Sequence, residues 1–477
     1  MILRQLTDRI LAQHAYLIGC RKSREAIVID PERDVDRYVE AAARERLRLV
    51  AAAETHIHAD FLSGARELAE RHGVRLYLSA EGGADWQYRW AQEGHYGVTL
   101  LRHGDTFMVG RLRFEAVHTP GHTPEHLCYF VTDLATADAP IGLASGDFVF
   151  AGDVGRPDLL EAAAGEAGAQ APSARALYGS LQHFQAWPDY LQVWPGHGAG
   201  SACGKALGDV PQTTVGYEKR FNPSVTAALR EEDTFVEAIL AGQTEPPLYF
   251  GRMKRLNRDG VPLLGDVTMP PRRAVTEVVA RPGAVVLDTR PDRSAFMRRH
   301  VPGALYAPLG GSFGTIVGSL VPDPETPLFL IVEEGQAEEA VRALARIGYD
   351  HVEGYVTPEA QEAYWAAGGE ADSIEEIEIL DLEARQEEGG TVVDVRYSGE
   401  YAAGHVPGAV LAPYTRLPEH LADLPGDGPL LVHCGGGTRA AAAVSYLARE
   451  GRDVVYVNGS FAQWAASAPE VATGQEA

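Results

Sequence analysis

The chain has 477 residues, with 42 Lys and Arg against 66 Asp and Glu, and a formal charge of −24. That length predicts about three domains, and shares of 45% apolar and 23% charged residues are those of an ordinary globular protein. The acidic surface argues against nucleic acid, no apolar run reaches the roughly 18–20 residues of a membrane span, and Met1 to Asp8 shows no secretory leader.

Residues 1–245 alternate short apolar runs with helical stretches. Ala26 to Asp30 reads as a strand, Val35 to Arg46 as a helix and Leu49 to Ala53 as a strand that runs into Thr55-His56-Ile57-His58-Ala59-Asp60. Leu76 to Leu78 and Leu112 to Val117 are further strands, and the small, simple stretch at 161–172 reads as a surface loop. Pro246-Pro247, Pro262 and Pro270-Pro271 make 246–270 a proline-rich linker.

An internal repeat organises the rest. Val285 to Arg290 answers to Val392 to Arg396, His300-Val301-Pro302-Gly303-Ala304 to His405-Val406-Pro407-Gly408-Ala409, and Pro327 to Leu330 to Pro429 to Val432. A helix follows each, at Ala337–Ile347 and Ala440–Glu450. The spacing of about 100 residues is too long for a solenoid, so two tandem α/β modules with parallel sheets are expected, at 271–370 and 374–470.

Four cysteines, Cys20, Cys128, Cys203 and Cys434, are too few and scattered for a disulfide framework, so reduced thiols in a cytoplasmic protein are expected. Cys20 and Cys128 follow strand-like runs and read as core. Cys203, six residues past His197 in a flexible glycine-rich loop beside Lys205, is either a sulfur relay or an incidental thiol. Cys434 ends a strand and is followed by Gly435-Gly436-Gly437-Thr438-Arg439. Backbone N–H groups, a helix N-terminus and the Arg439 charge all favour a thiolate there.

Histidines and aspartates gather where strands end: His56, His58 and Asp60; His118 and His122 in His118-Thr119-Pro120-Gly121-His122; Asp147 in Ser145-Gly146-Asp147; and His197 in Pro195-Gly196-His197. Imidazole with carboxylate suits zinc, iron or manganese.

These segments resemble the metallo-β-lactamase superfamily, which implies an αββα sandwich over residues 1–245. The superfamily's H-x-H-x-D-H ends here in Phe61, where dinuclear hydrolases hold a second metal. Ala59-Asp60-Phe61-Leu62-Ser63-Gly64, Gly152 to Asp158 and Thr214 to Pro223 resemble the persulfide dioxygenase branch. That resemblance implies one Fe(II) per chain on His56, His118 and Asp147, with open positions for substrate and O2. It makes His58 and Asp60 groups that orient the ligands; His122 and His197 either do the same or satisfy local hydrogen bonds. Lys205, Tyr217, Lys219 and Arg220 are candidates to contact an anionic thiol.

Residues around Cys434, with Asp394-Val395-Arg396 upstream, resemble the rhodanese family and imply Cys434 and Arg439 as its catalytic residues. The first copy has Val332 opposite Cys434 and Ala337 opposite Arg439, so it is expected to be silent in sulfur transfer. The resemblances together imply an Fe(II) enzyme that oxidises a low-molecular-weight persulfide with O2 to sulfite, coupled to rhodanese exchange between persulfide, sulfite and thiosulfate. The alternative is a thioester hydrolase of the glyoxalase II type beside an independent sulfurtransferase. A homo-oligomer is expected. The charge of −24 means that an anionic substrate must be captured by local Arg and Lys, against the field of the whole chain.

Overall fold

The computed structural model describes residues 1–162, 168–468 and 471–474. The chain forms two compact units. The first comprises Met1–Pro246, Phe250–Val267 and Ala345–Gly348, and the second Pro247–Tyr249, Thr268–Leu344 and Tyr349–Ala477. Among the described residues no helix is long and apolar enough to cross a membrane.

The first unit holds two six-stranded sheets. One runs β1 (Ile2–Asp8), β2 (Gln13–Cys20), β3 (Glu25–Ile29), β4 (Arg48–Ala53), β5 (Arg75–Ser79) and β6 (Val98–Leu101) in that order. The other contains β7 (Thr106–Val109), β8 (Leu112–His118), β9 (Leu127–Asp133), β10 (Gly142–Gly146), β11 (Gln192–Pro195) and β12 (Thr213–Thr214), again neighbour to neighbour. β1 to β3 pair antiparallel and β3 to β6 parallel; β7 to β10 pair antiparallel, and β10 pairs parallel with β11. Between the sheets lies an apolar layer that includes Tyr16, Ile27, Ile29, Phe114, Tyr129 and Trp194. Helices cover both outer faces, with Tyr38 and Leu68 buried on one side and Leu177, Leu181 and Phe184 on the other. This is the αββα sandwich, since each sheet has two apolar faces to bury.

Two local expectations change. The region read as a loop at 161–172 holds the end of the helix Leu159–Ala162 and the start of the helix Gln170–Gln185, whose first turn accommodates Pro172; residues 163–167 lie outside the described residues. The proline-rich linker is also more than a connector, because Phe250–Asp259 is a helix with buried Phe250, Met253 and Asn257. Asn257 donates to the carbonyls of His58 and Phe61 at 2.8 and 2.7 Å, and its Oδ1 accepts from the Ser63 N–H at 2.8 Å.

The second unit contains two parallel sheets. β13 (Val285–Asp288), β14 (Leu305–Tyr306), β15 (Leu328–Ile331) and β16 (Val352–Val356) stand in the order β14-β13-β15-β16. β17 (Glu375–Glu378), β18 (Thr391–Asp394), β19 (Val410–Leu411), β20 (Leu430–His433) and β21 (Val454–Asn458) stand as β17-β21-β20-β18-β19. Without the edge strand β17, the second sheet repeats the order of the first. The repeated side chains also match: Arg290 pairs with Asp288 at 2.7 Å as Arg396 pairs with Asp394 at 2.6 Å, and His300 and His405 each bond the carbonyl four residues earlier at 2.9 Å.

Asn257→Ala deletes three buried hydrogen bonds and leaves their partners unsatisfied. It is expected to destabilise the first unit by about 2–4 kcal/mol, seen as a lower urea midpoint in tryptophan fluorescence; an unchanged midpoint would mean that the helix is a passive linker.

Candidate functional site

β4 ends at Ala53, and the following turn delivers His56 and His58. Asp147 lies directly after β10, where Gly146 has φ +49° and a Cβ would lie 2.5 Å from Thr55 Oγ1. Ligand atoms of His56, His122 and Asp147 all lie within 4.8 Å of one another, as do those of Asp60, His197 and Cys203. Asp147 joins the two groups: Oδ2 is 3.9 Å from His56 Nε2 and 3.5 Å from His122 Nε2, and Oδ1 is 3.5 Å from His197 Nε2. His197 Nε2 is also 3.3 Å from Asp60 Oδ2.

The far side of each imidazole is tethered. Thr55 gives its hydroxyl proton to Asp30, so its oxygen accepts from His56 Nδ1–H at 2.9 Å. His122 Nδ1–H donates to the Arg156 carbonyl at 3.1 Å, and His197 Nδ1–H to the Ala12 carbonyl at 3.3 Å. Each ring therefore presents a free Nε2 lone pair to the centre, the arrangement by which outer hydrogen bonds set the tautomer of metal-bound histidine. Burial, then neighbouring imidazoles, holds His56 and His122 well below the ordinary histidine range. Burial pushes the carboxyls of Asp60 and Asp147 up to about 6. All four oxygens of these two carboxyls are buried without a hydrogen-bond donor. Unpaired buried carboxylates among neutral imidazoles fit a divalent cation, which would offset the cost of burying them.

The structure departs from the expected ligand set at one residue. His118 ends β8 with its Nε2 bonded to the Pro124 carbonyl at 2.7 Å, outside both groups. The turn at 119–122 carries His122 inward instead. His58 also faces away from Asp147: its Nε2 lies 2.9 Å from Glu54 and 3.3 Å from Asp30. Although burial opposes it, Asp30 and Glu54 hold its imidazole well above the ordinary range. Phe61 is fully buried, with its ring centroid 4.3 Å from that of His58.

Cys203 is buried, not part of an open loop, and burial with Asp60 and Asp147 keeps its thiol well above the usual range. The two lysine candidates are engaged elsewhere. Lys205 Nζ donates to the Ile239 carbonyl at 2.8 Å, and also to that of Ala241 at the end of the helix Glu232–Leu240. Lys219 pairs with Asp189 at 2.8 Å. Exposed Tyr217 lines a cavity of about 620 Å³ whose lining includes none of the clustered histidines, and Arg220 is exposed on the same helix, Val215–Phe221. Cys128 is buried, which pushes its thiol up to about 12, as a core cysteine should be. Cys20 is buried too, but hydrogen bonds involving Ser23 and Arg111 outweigh burial and bring it down to about 7.

Cys434 follows β20 and precedes the helix Thr438–Arg449. Its sulfur accepts from the N–H groups of Gly437 at 3.0 Å and Ala440 at 3.4 Å. Arg439 does not offer a spare charge, because Glu400 clamps it with contacts of 2.6 and 2.9 Å. Arg396 is likewise held by Asp394 and by the Gly404 carbonyl.

Residues 9–197 match the metallo-beta-lactamase superfamily, and residues 379–467 match the rhodanese-like domain. A metallo-beta-lactamase from Staphylococcus aureus subsp. aureus COL superposes with a TM-score of 0.67 at 35% identity, covering 75% of this chain and 99% of that one. The chain belongs to the metallo-beta-lactamase superfamily. Within the superfamily it is similar to the mitochondrial persulfide dioxygenase ETHE1 of Bos taurus, 28% identical over 236 residues, which are 48% of this chain and 78% of that protein. It is also similar to the probable polyketide biosynthesis zinc-dependent hydrolase BaeB of Bacillus velezensis, 25% identical over 208 residues, which are 43% of this chain and 82% of that protein.

Several supporting groups carry no sequence signal of their own. Asp30 holds Thr55 through both backbone and hydroxyl, Asn257 holds the loop 58–63, and His126 Nε2 accepts from the Asp147 N–H at 3.1 Å. Only the strand-end position of Asp30 could have pointed to it.

His122→Ala is expected to lose most of the bound metal, whereas His118→Ala keeps it, both read by elemental analysis of the purified full chain. Metal retained in His122→Ala and lost in His118→Ala would reverse the assignment.

Proposed function

We propose that the chain is a persulfide dioxygenase with a sulfurtransferase module. It oxidises the sulfane sulfur of a low-molecular-weight persulfide with O2 and water to sulfite, releasing the thiol. The observation that carries this reading is the two-histidine, one-carboxylate group of His56, His122 and Asp147, with His58 turned away to Glu54 and Asp30 and phenylalanine at position 61. Fe(II) on those three residues would supply open positions where the persulfide sulfur and O2 meet. Similarity to the Bos taurus persulfide dioxygenase supports the same choice. The hydrolase alternative calls for a second metal, and Phe61 offers no donor where the superfamily pattern has histidine.

The chain's own residues set the geometry. Thr55 and the Arg156 and Ala12 carbonyls fix three imidazoles in the tautomer with Nε2 free. Phe61 and Phe150, both buried, keep water from the pocket. Cys203, near Asp60 and His197, would hold sulfur beside the pocket, and His197 and Asp60 would orient it rather than complete the ligands of an iron.

Cys434 attacks the sulfane sulfur of thiosulfate; the S–S bond to the sulfonate breaks, its electron pair leaves with sulfite, and Cys434 becomes a persulfide. The Gly437 and Ala440 N–H groups stabilise the sulfur. Residues 271–370 read as an inactive rhodanese-like copy, supported by the shared strand order and by Val332 where Cys434 stands.

The test is O2 uptake by iron-loaded full chain given glutathione persulfide. Wild type consumes O2 and forms sulfite, His122→Ala loses uptake by about 100-fold or more, and Cys434→Ser shifts the ratio of sulfite to thiosulfate. Zinc-dependent hydrolysis of an acyl thioester without O2 uptake would overturn the reading.

A further inference from the structure

The α/β module without a cysteine places a guanidinium against the cysteine loop of the other module. Arg293 opens the helix Arg293–Arg298, which follows β13. A Cβ on Gly437 would lie 2.7 Å from Arg293 Cζ and 2.7 Å from the Tyr456 hydroxyl. Gly437 is the residue whose N–H bonds Cys434 Sγ at 3.0 Å, and at φ +96° it is glycine for conformational reasons too. Arg293 therefore packs against the glycine whose N–H bonds the sulfur. Tyr456 spans the same gap. Its hydroxyl bonds the Gly437 carbonyl at 3.3 Å, and its phenol, raised by burial, is lowered by Arg293 and raised by Cys434.

Charge balance distinguishes Arg293 from the other arginines at this loop. Arg439 is neutralised by Glu400 and Arg396 by Asp394. Among the described residues no carboxylate pairs with Arg293: its Nε and Nη2 share one neutral acceptor, Asn458 Oδ1, at 3.2 and 3.0 Å. Glu376 is close by, yet it is bonded by Ser294 Oγ at 2.6 Å and Asn458 Nδ2 at 2.7 Å, not by Arg293. A half-buried guanidinium with an unpaired charge, on a chain of net charge −24, is a site for a small anion.

We propose that Arg293 is the anion-recognition residue of the Cys434 site, holding the sulfonate oxygens of a small sulfur oxyanion, thiosulfate or sulfite, while Cys434 exchanges sulfane sulfur with it. This rests on reading 374–470 as a sulfurtransferase. It gives the cysteine-less module a part in substrate binding: Cys434 thiolate takes the outer sulfur of thiosulfate, sulfite departs with the electron pair of the broken S–S bond, and Arg293 holds the sulfonate throughout.

The test uses the full chain and two reagents of the same size and opposite character, iodoacetate and iodoacetamide. Their rates of alkylation at Cys434 are read by mass spectrometry of the peptide carrying it. Arg293→Ala is expected to lower the iodoacetate to iodoacetamide rate ratio about tenfold, and Arg293→Lys to recover part of it. In thiosulfate turnover, KM should rise about tenfold in Arg293→Ala, more than kcat falls. The neutral reagent controls for folding, because a disturbed loop changes both rates and leaves their ratio alone. An unchanged ratio in Arg293→Ala overturns the assignment. Wild-type chain that transfers no sulfur from thiosulfate, with the ratio still dependent on Arg293, would instead overturn the sulfurtransferase reading and leave an anion site.

Discussion

The first unit is built around a buried carboxylate to which no described residue donates a hydrogen bond. Asp147 is fully buried with both oxygens unpaired, and a carboxylate in that state costs several kcal/mol unless a cation joins it. The surroundings fit this one demand. Three imidazoles aim Nε2 at Asp147, each with Nδ1 committed elsewhere. Gly196 passes so close that a Cβ there would sit 2.7 Å from Asp147 Oδ1, so the approach of His197 depends on glycine. The sheet order brings the ends of β4, β10 and β11 to this place, and the interior between the sheets supplies the rigidity.

The proposed single metal position rests on the same constraint. His58 has the ring chemistry of a ligand, but Glu54 and Asp30 draw it away from Asp147. Phe61 fills the neighbouring volume with carbon. What remains beside the first group is Asp60, His197 and a thiol, Cys203. A pocket of that composition, in a chain that also carries the Cys434 loop, supports the proposed sulfur chemistry at both ends.

Much of this was legible in the sequence, because strands that end in His, Asp and Gly advertise a site wherever the apolar pattern stops. β3, β4 and β8 lie where the apolar runs put them, and the repeat in 271–470 returns as a shared strand order. The misplacements have physical causes. The family resemblance put the ligand at the first histidine of His118-Thr119-Pro120-Gly121-His122, but the turn after β8 reverses direction and carries His122 inward. Arg439 reads as a free charge because its partner Glu400 is 39 residues upstream in a different element. Lys205 reads as a substrate contact, whereas its ammonium satisfies carbonyls at a helix end. Asn257 lies in a stretch whose prolines suggest a linker, and only the fold shows that its amide ties down the loop 58–63.

On the proposed function, Asp147, His56 and His122 hold a single iron. Stripping the full chain of metal and titrating Fe(II) back under anaerobic conditions, with O2 uptake measured after each addition, tests this most directly. Uptake is expected to rise linearly and level off at about one iron per chain, the capacity of a single three-residue ligand set. A plateau reached only at two would contradict it.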